Sequence, residues 1–174
     1  FEKTNKPIIG LAPMHQVSRQ DLRIASKKAG ADVVFSEMVA SEAVIRKIPQ
    51  ALQMMSFSEE ERPIIIQIFG SNPRNMAKAA SMIEKELSPD GIDINFGCPV
   101  QKAEKQGFGS CQLKDIEGSE KILIEIRKVL KRTPLSIKIR IPEKDPVRTL
   151  EFVSRMRDAG IDMLTVHGRT PTQK

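Results

Sequence analysis

Short apolar runs alternate with amphipathic segments along the whole chain. Residues 8–12 (Ile-Ile-Gly-Leu-Ala) read as a strand, and residues 19–28 as a helix ended by Gly30. A second strand is predicted over 32–35, followed by a helix over 41–48. Residues 64–68 (Ile-Ile-Ile-Gln-Ile) form a third, apolar on both faces as a buried parallel strand should be. Asn72 then offers a side-chain cap and Pro73 suits a first helical position, where its missing N–H is not needed. Met76, Ala79, Ala80, Ile83 and Leu87 follow at helical spacing. Further strands are predicted over 92–94, 135–139 and 163–166. Between them lie a helix lined by Ile122, Leu123, Ile126, Val129 and Leu130, and another that starts at Asp145-Pro146 and runs through Leu150, Val153 and Met156 to Gly160.

Alternation of this kind implies parallel strands joined by right-handed crossovers. An open doubly wound sheet and a closed (β/α)8 barrel both satisfy it. No G-x-G-x-x-G follows the first strand, which weakens a dinucleotide-binding open sheet. Polar or reactive residues instead gather at or beyond the C-terminal ends of many strands: Met14, Glu37, Gln67, Asn95 with Cys98, Lys138 with Arg140, and His167 with Arg169. Several strands contributing to one rim is the logic of a barrel active site. The expected fold is therefore α/β, a (β/α)8 TIM barrel present as about its first six β/α units. Residues 1–174 read as one incomplete catalytic domain, and the start at Phe1 rather than Met is expected of a fragment.

The composition is 40% hydrophobic and 29% charged, with no apolar run long enough to span a membrane and no signal-peptide pattern at the start. Two cysteines do not make a disulfide scaffold, so a reducing, cytoplasmic setting is expected. The net charge of +6 suits a polyanionic partner such as RNA, although solvated helix exteriors account for much of it, including the basic patch Arg127, Lys128, Lys131 and Arg132. Two histidines and two cysteines without close spacing make no zinc site, and no metal is expected. The charge pattern leaves the oligomeric state open.

Roughly twenty residues separate Asn95 from the helix near Glu117, far more than the usual 2–6 for such a connection. Cys98 opens this loop in the setting Gly97-Cys98-Pro99. A free thiol, with a reference pKa of about 8.5, is mostly protonated at neutral pH and so can donate a proton. Buried cysteine is often only a small hydrophobe, and the loop position argues for function here; Cys111, among small residues, reads as packing. Lys138 and Arg140 alternate on one strand and point inward if Ile137 and Ile139 pack outward. A cation inside a barrel is costly unless paired or bound to a ligand. Gln67 and His167 each admit a structural reading beside a ligand-binding one.

Taken together, Ala12-Pro13-Met14, Ser36-Glu37-Met38, the string from Gln67 to Ser71, the string from Asp93 to Pro99 with Lys102, Lys138-Ile139-Arg140 and the string from Val166 to Thr170 resemble the tRNA-dihydrouridine synthase family. They occur in the family's order and cover nearly all of the chain. The resemblance implies an FMN-containing barrel, with NADPH as reductant and tRNA as partner, followed by a helical RNA-binding domain. It implies hydride transfer from the flavin to C6 of a uracil ring and protonation of C5 by Cys98. By position it places Pro13, Met14 and His15 along the flavin and Gln67 and Lys138 at the flavin's ring edge, with His167 helping to hold the flavin from the opposite strands. Asn95, Lys102, Arg140 and Arg169 would face the substrate. Because nearby lysines lower a thiol's pKa, the acid is expected to stand apart from Lys102 and Lys138.

Gln16 stands where many members have glycine, and the loop 107–111 resembles eukaryote-type branches whereas Ser36-Glu37-Met38 resembles bacterial ones. The family's last barrel strands, which bind the flavin phosphate, and its helical tRNA-binding domain are expected outside these 174 residues. Two other readings stay open: a flavin barrel acting on a small pyrimidine, and an inactive, truncated RNA-binding fragment.

Overall fold

The structure is a computed structural model that describes residues 6–100, 103, 105–141 and 146–173. Seven strands are all parallel: β1 (Gly10–Leu11), β2 (Val33–Phe35), β3 (Val39–Ala40), β4 (Ile64–Phe69), β5 (Gly91–Phe96), β6 (Leu135–Arg140) and β7 (Met163–His167). Their spatial order, β1-β2-β4-β5-β6-β7, follows chain order, with the two-residue β3 beside the end of β4. Consecutive parallel strands with helices between them form a half-barrel, as the polar residues gathered at the strands' C-terminal ends predicted.

Six helices are described: α1 (Gln20–Lys28), α2 (Ser41–Ile45), α3 (Pro49–Met55), α4 (Pro73–Leu87), α5 (Ile116–Val129) and α6 (Pro146–Asp158). Asn72 caps α4 as expected, its side chain accepting from the Asn75 N–H at 3.1 Å. Asp115 does the same for α5 through Gly118 N–H at 3.0 Å. Asp145, the expected cap of α6, lies outside the described residues.

Three details depart from the expected elements. The helix predicted over 41–48 stops at Ile45, and Lys47 takes a left-handed φ of 51°. Pro49 disfavours a helical residue 48 and starts a separate helix, α3, from its own first position. Leu150 does not face the core but is 68% exposed, and Phe152 and Met156 are the buried residues of α6. Only Gly10 and Leu11 of the expected first strand pair with β2.

Strand residues divide cleanly between two faces. Ile64, Ile66, Ile68, Ile92, Ile94, Phe96, Leu135, Ile137 and Ile139 point outward into the main core, where Met76, Ala79, Ala80 and Ile83 of α4 and Ile122, Leu123 and Ile126 of α5 cover them. Burial of such side chains stabilises by about 1.5–3 kcal/mol each. The inner face starts apolar, with Val33, Phe35, Ile65 and Met163 in a small cluster of their own. Toward the strands' C-terminal ends it turns polar. Register sets Gln67, Asp93 and Ser136 in one row across β4, β5 and β6; Asn95, Lys138 and Thr165 form the next, and Arg140 and His167 the last.

Candidate active site

At the C-terminal rim a cleft of about 340 Å³ is lined by Ala12, Pro13, Met14 and His15 after β1, Met38 between β2 and β3, Asn95, Gly97 and Cys98 at the end of β5, Lys138 and Arg140 on β6, and His167 on β7. Eight of the eleven site residues expected from the sequence thus line one concavity. Gln67, Arg169 and Lys102 do not belong to that lining. Gln67 sits beneath it, 1% exposed, with its amide engaged by neighbours on both sides. Arg169 is exposed beside the cleft, its backbone carbonyl accepting from Ile141 N–H at 3.1 Å. Lys102 lies outside the described residues.

The loop that carries Cys98 is held by contacts to its backbone. Asn95 Oδ1 accepts from the N–H groups of Gly97 (3.1 Å) and Cys98 (2.9 Å). A side chain on Gly97 would approach the backbone of Lys138 and Ile139 to about 3.4 Å, so glycine lets the turn lie close against β6. From the other side, Ser110 N–H donates to the Cys98 carbonyl at 2.9 Å. Gly109 makes that approach possible, with φ at +73° and space for no Cβ, which would stand 2.6 Å from the same carbonyl oxygen. Phe108 stacks on Phe69 at 4.3 Å between ring centroids and anchors the loop on β4. The long connection is therefore folded back over the cysteine. Cys98 is a free, half-exposed thiol at its turn, and Cys111 donates to the Phe108 carbonyl at 3.1 Å within the loop.

Electrostatics distinguish the cleft from the rest of the surface. Lys138 is half-buried, and among the described residues its ammonium has no hydrogen-bond partner. Burial lowers its pKa and Arg140 pushes the same way, while the charge of Asp93 pulls it back up. His167 also titrates below its usual range, through burial and then the neighbouring charges of Arg140, Lys138 and Arg169. Arg140 is partly spent on structure: its guanidinium donates to the carbonyls of Thr170 (2.9 Å) and Gln173 (3.2 Å), tying down the turn after β7.

Sequence reasoning gave no role to Asp93, the fully buried centre of the inner polar row. Its carboxylate accepts from Gln67 Nε2 at 2.7 Å and Ser136 Oγ at 2.5 Å. Burial raises its pKa to about 6, against the lowering influence of Ser136, Gln67 and Lys138. The available signal was an acidic residue between two isoleucines of a buried strand, at the same inward parity as Asn95.

This arrangement also matches a known family. A sequence model described as dihydrouridine synthase (Dus) matches residues 10–174. The chain belongs to the dihydrouridine synthase family. It is 38% identical over 167 residues to a probable tRNA-dihydrouridine synthase of Aquifex aeolicus, covering 94% of this chain and 52% of the relative. A probable tRNA-dihydrouridine synthase of Rickettsia prowazekii is 35% identical over 94% of this chain and 50% of its own. The tRNA-dihydrouridine(16/17) synthase (NAD(P)(+)) of Schizosaccharomyces pombe is 34% identical over all of this chain and 43% of its own. The chain thus spans about half the length of the curated relatives it matches.

Gln16 takes a left-handed φ of 62°. Glycine adopts that conformation freely and glutamine does not. The Glu37 carboxylate, almost fully buried, accepts from the Gln16 N–H and holds the turn. Among the described residues, no group of three or more His, Cys, Asp or Glu could hold a metal ion, and no helix is long and apolar enough to cross a membrane.

Proposed function

We propose that this domain is the catalytic part of a flavin-dependent enzyme that reduces uridine in tRNA to 5,6-dihydrouridine, with Cys98 as the proton donor. The supporting observation is the convergence of Cys98, Asn95, Lys138, Arg140 and His167 with Pro13, Met14 and His15 on one cleft at the strands' C-terminal ends. Tests of whether FMN suits this cleft turn on Lys138. A half-buried cation that has no hydrogen-bond partner among the described residues fits a ring edge rich in acceptors, which a flavin presents. Pro13, Met14 and His15 would lie along the ring system and Lys138 at its edge, with Gln67 beneath, its amide turned to Asp93 and Asn95, and His167 would help hold the flavin from the opposite strands.

A reduced flavin, replenished by NADPH, would supply the hydride that adds to C6 of the uracil ring. That addition moves an electron pair onto C5 and O4. Cys98 then gives its thiol proton to C5, and the resulting thiolate is reprotonated from solvent. Asn95, Lys102, Arg140 and Arg169 would hold the uridine, and positive charge near O4 stabilises the developing negative charge. The neutral form of His167, favoured by its surroundings, donates a hydrogen bond without adding a third cation to the cleft. The target base must leave its stack to enter, because C5 and C6 are not reachable within a helix.

The partner is tRNA, whose phosphates suit a chain of net charge +6, and the setting we assign is the cytoplasm. The remaining barrel strands and a helical tRNA-binding domain would be supplied by a longer protein, in keeping with relatives about twice this length. In the full-length protein, Cys98→Ala is expected to bind tRNA normally and to form dihydrouridine about 10²- to 10⁴-fold more slowly. Full activity in that variant would refute the assignment of the acid. Equal turnover of free uracil would refute tRNA as the substrate.

A further inference from the structure

We infer that Asp93 is a positioning residue, whose acceptor-only carboxylate fixes the orientation of a side-chain relay ending at the peptide N–H of Cys98. The inference rests on Cys98 being the reactive group proposed above. A carboxylate can only accept hydrogen bonds, so Asp93 Oδ2 obliges Gln67 to turn its NH₂ toward β5 (2.7 Å). The Gln67 carbonyl oxygen must then face Asn95, whose Nδ2 donates to it at 2.9 Å. With its NH₂ committed there, Asn95 presents only its oxygen to Gly97 and Cys98, where two backbone N–H groups need an acceptor. Ser136 holds the other carboxylate oxygen at 2.5 Å and keeps Asp93 from rotating.

Every link is set by the polarity of its neighbour, and Asp93, the one side chain in the relay that has no donor, fixes the sense at the buried end. A neutral residue at position 93 allows Gln67 and Asn95 to invert together. An inverted Asn95 turns its NH₂ toward two N–H groups and releases the Cys98 turn. The N–H groups of Gly97 and Cys98, and Met38 Sδ at 3.5 Å from Asn95 Nδ2, favour the same sense from the rim end; at the buried end β4 contributes neutral Gln67, β6 contributes Ser136, and the charged or titratable groups nearby are Lys138 and Arg140 on β6 and His167 on β7.

The test uses full-length protein and follows the pH dependence of thiol modification by 2,2′-dipyridyl disulfide, which reacts in acid, read at the Cys98 peptide by mass spectrometry so that Cys111 does not interfere. In the wild type the rate should show an inflection near pH 6, where Asp93 takes up its proton, beside the thiol's own ionisation. Asp93→Asn should abolish that inflection and slow uridine reduction on the order of 10- to 100-fold, as small misplacements of a reacting group do, with little change in the KM for tRNA. His167→Gln should keep the inflection. A wild-type profile without it overturns the inference with no variant needed. So does an Asp93→Asn protein with an unchanged profile, whatever its activity. If the inflection behaves as described but the wild type reduces no uridine, the proposed function fails and the positioning stands.

Discussion

Two buried charge clusters in this half-barrel follow opposite rules. Below α1, Arg23 and Glu61 are 1% and 0% exposed and 2.5 Å apart. Every direction around them is satisfied. Arg23 also donates to the carbonyls of Ser18 (3.0 Å) and Ser56 (2.7 Å), while Glu61 accepts from Gln20 (3.0 Å) and Ser58 N–H (2.7 Å). At the rim, Lys138 is also withdrawn from water, yet its ammonium has no hydrogen-bond partner among the described residues. A saturated ion pair ties loops together and has no capacity left for a ligand. A desolvated cation with an open valence raises the free energy of the fold until something binds it. The difference separates a saturated structural pair from a cation still open to a ligand.

The largest effect expected is therefore at the saturated pair. Replacing one partner, as in Arg23→Met or Glu61→Gln, leaves a buried polar group without its match and should cost about 3–5 kcal/mol. The double variant Arg23→Met with Glu61→Leu should recover most of that loss, because no charge is then stranded. Urea denaturation of the three variants measures both quantities. A single variant with wild-type stability would break the contrast between the two clusters.

Asp93 should behave in the reverse sense. Folding raises its pKa from 3.8 to about 6, so between these values the native state keeps a proton that the unfolded chain has released. Stability attributable to this group therefore falls as pH rises from 3.8 to 6, and at neutral pH the buried ionised carboxylate is a liability of up to about 3 kcal/mol. Asp93→Asn should then stabilise the protein at pH 7, on the order of 1–3 kcal/mol, with the gain vanishing by pH 4. His167 acts oppositely over the range just below its usual pKa. Its lowered native pKa means that stability is present at higher pH and declines as the pH drops through that value. Melting curves of Asp93→Asn and His167→Gln across pH 4–8 would separate the two contributions.

A smaller effect is expected at Glu84, on the outer surface of α4, which joins a third kind of cluster. Burial pushes its carboxyl up, but N–H groups of Arg132, Thr133 and Lys131 outweigh that and bring its pKa down to about 2. It anchors the turn that leads into β6, the strand carrying Lys138 and Arg140. Between pH 4.5 and 2 the unfolded chain holds the proton that the native state refuses, so this contribution is lost as pH falls through that window. Partial exposure screens it, and Glu84→Gln should cost about 1–2 kcal/mol at pH 7.

Much of this was legible in the sequence because the relevant signals are local. Isoleucine runs interrupted by Gly, Pro and Asn mark buried strands and helix starts, and strand-end positions located the cleft from Met14 to His167. What escaped depends on pairings across the fold. Arg23 and Glu61 are 38 residues apart and lie in segments with no mutual pattern. The bonds of Asp93 depend on the register of β5 between β4 and β6. Strands apolar on both faces do not declare their register, because a slip by one residue exchanges one isoleucine for another. Leu150 misled for a related reason: the helical period alone cannot tell which of two apolar stripes on α6 meets the sheet, and Phe152 and Met156 do.

The smallest expected effect probes the strained turn beside the cleft. Gln16 at φ 62° stores the cost of a left-handed side-chain residue, about 1–2 kcal/mol, which the Glu37 carboxylate offsets through the Gln16 N–H. Gln16→Gly relieves the strain but frees the unfolded backbone, so the net gain should be no more than about 1 kcal/mol. Gln16→Val, whose branched side chain tolerates positive φ poorly, should lose more than that. The pair sharpens the contrast between the clusters, because the turn positions His15 at the cleft's edge while Glu37 accepts from the Gln16 backbone N–H and stands 4.0 Å from His15 Nδ1. If Gln16→Gly changes stability but leaves uridine reduction intact, Glu37 belongs with Arg23 and Glu61 as architecture. If turnover shifts while stability does not, the turn belongs with Lys138.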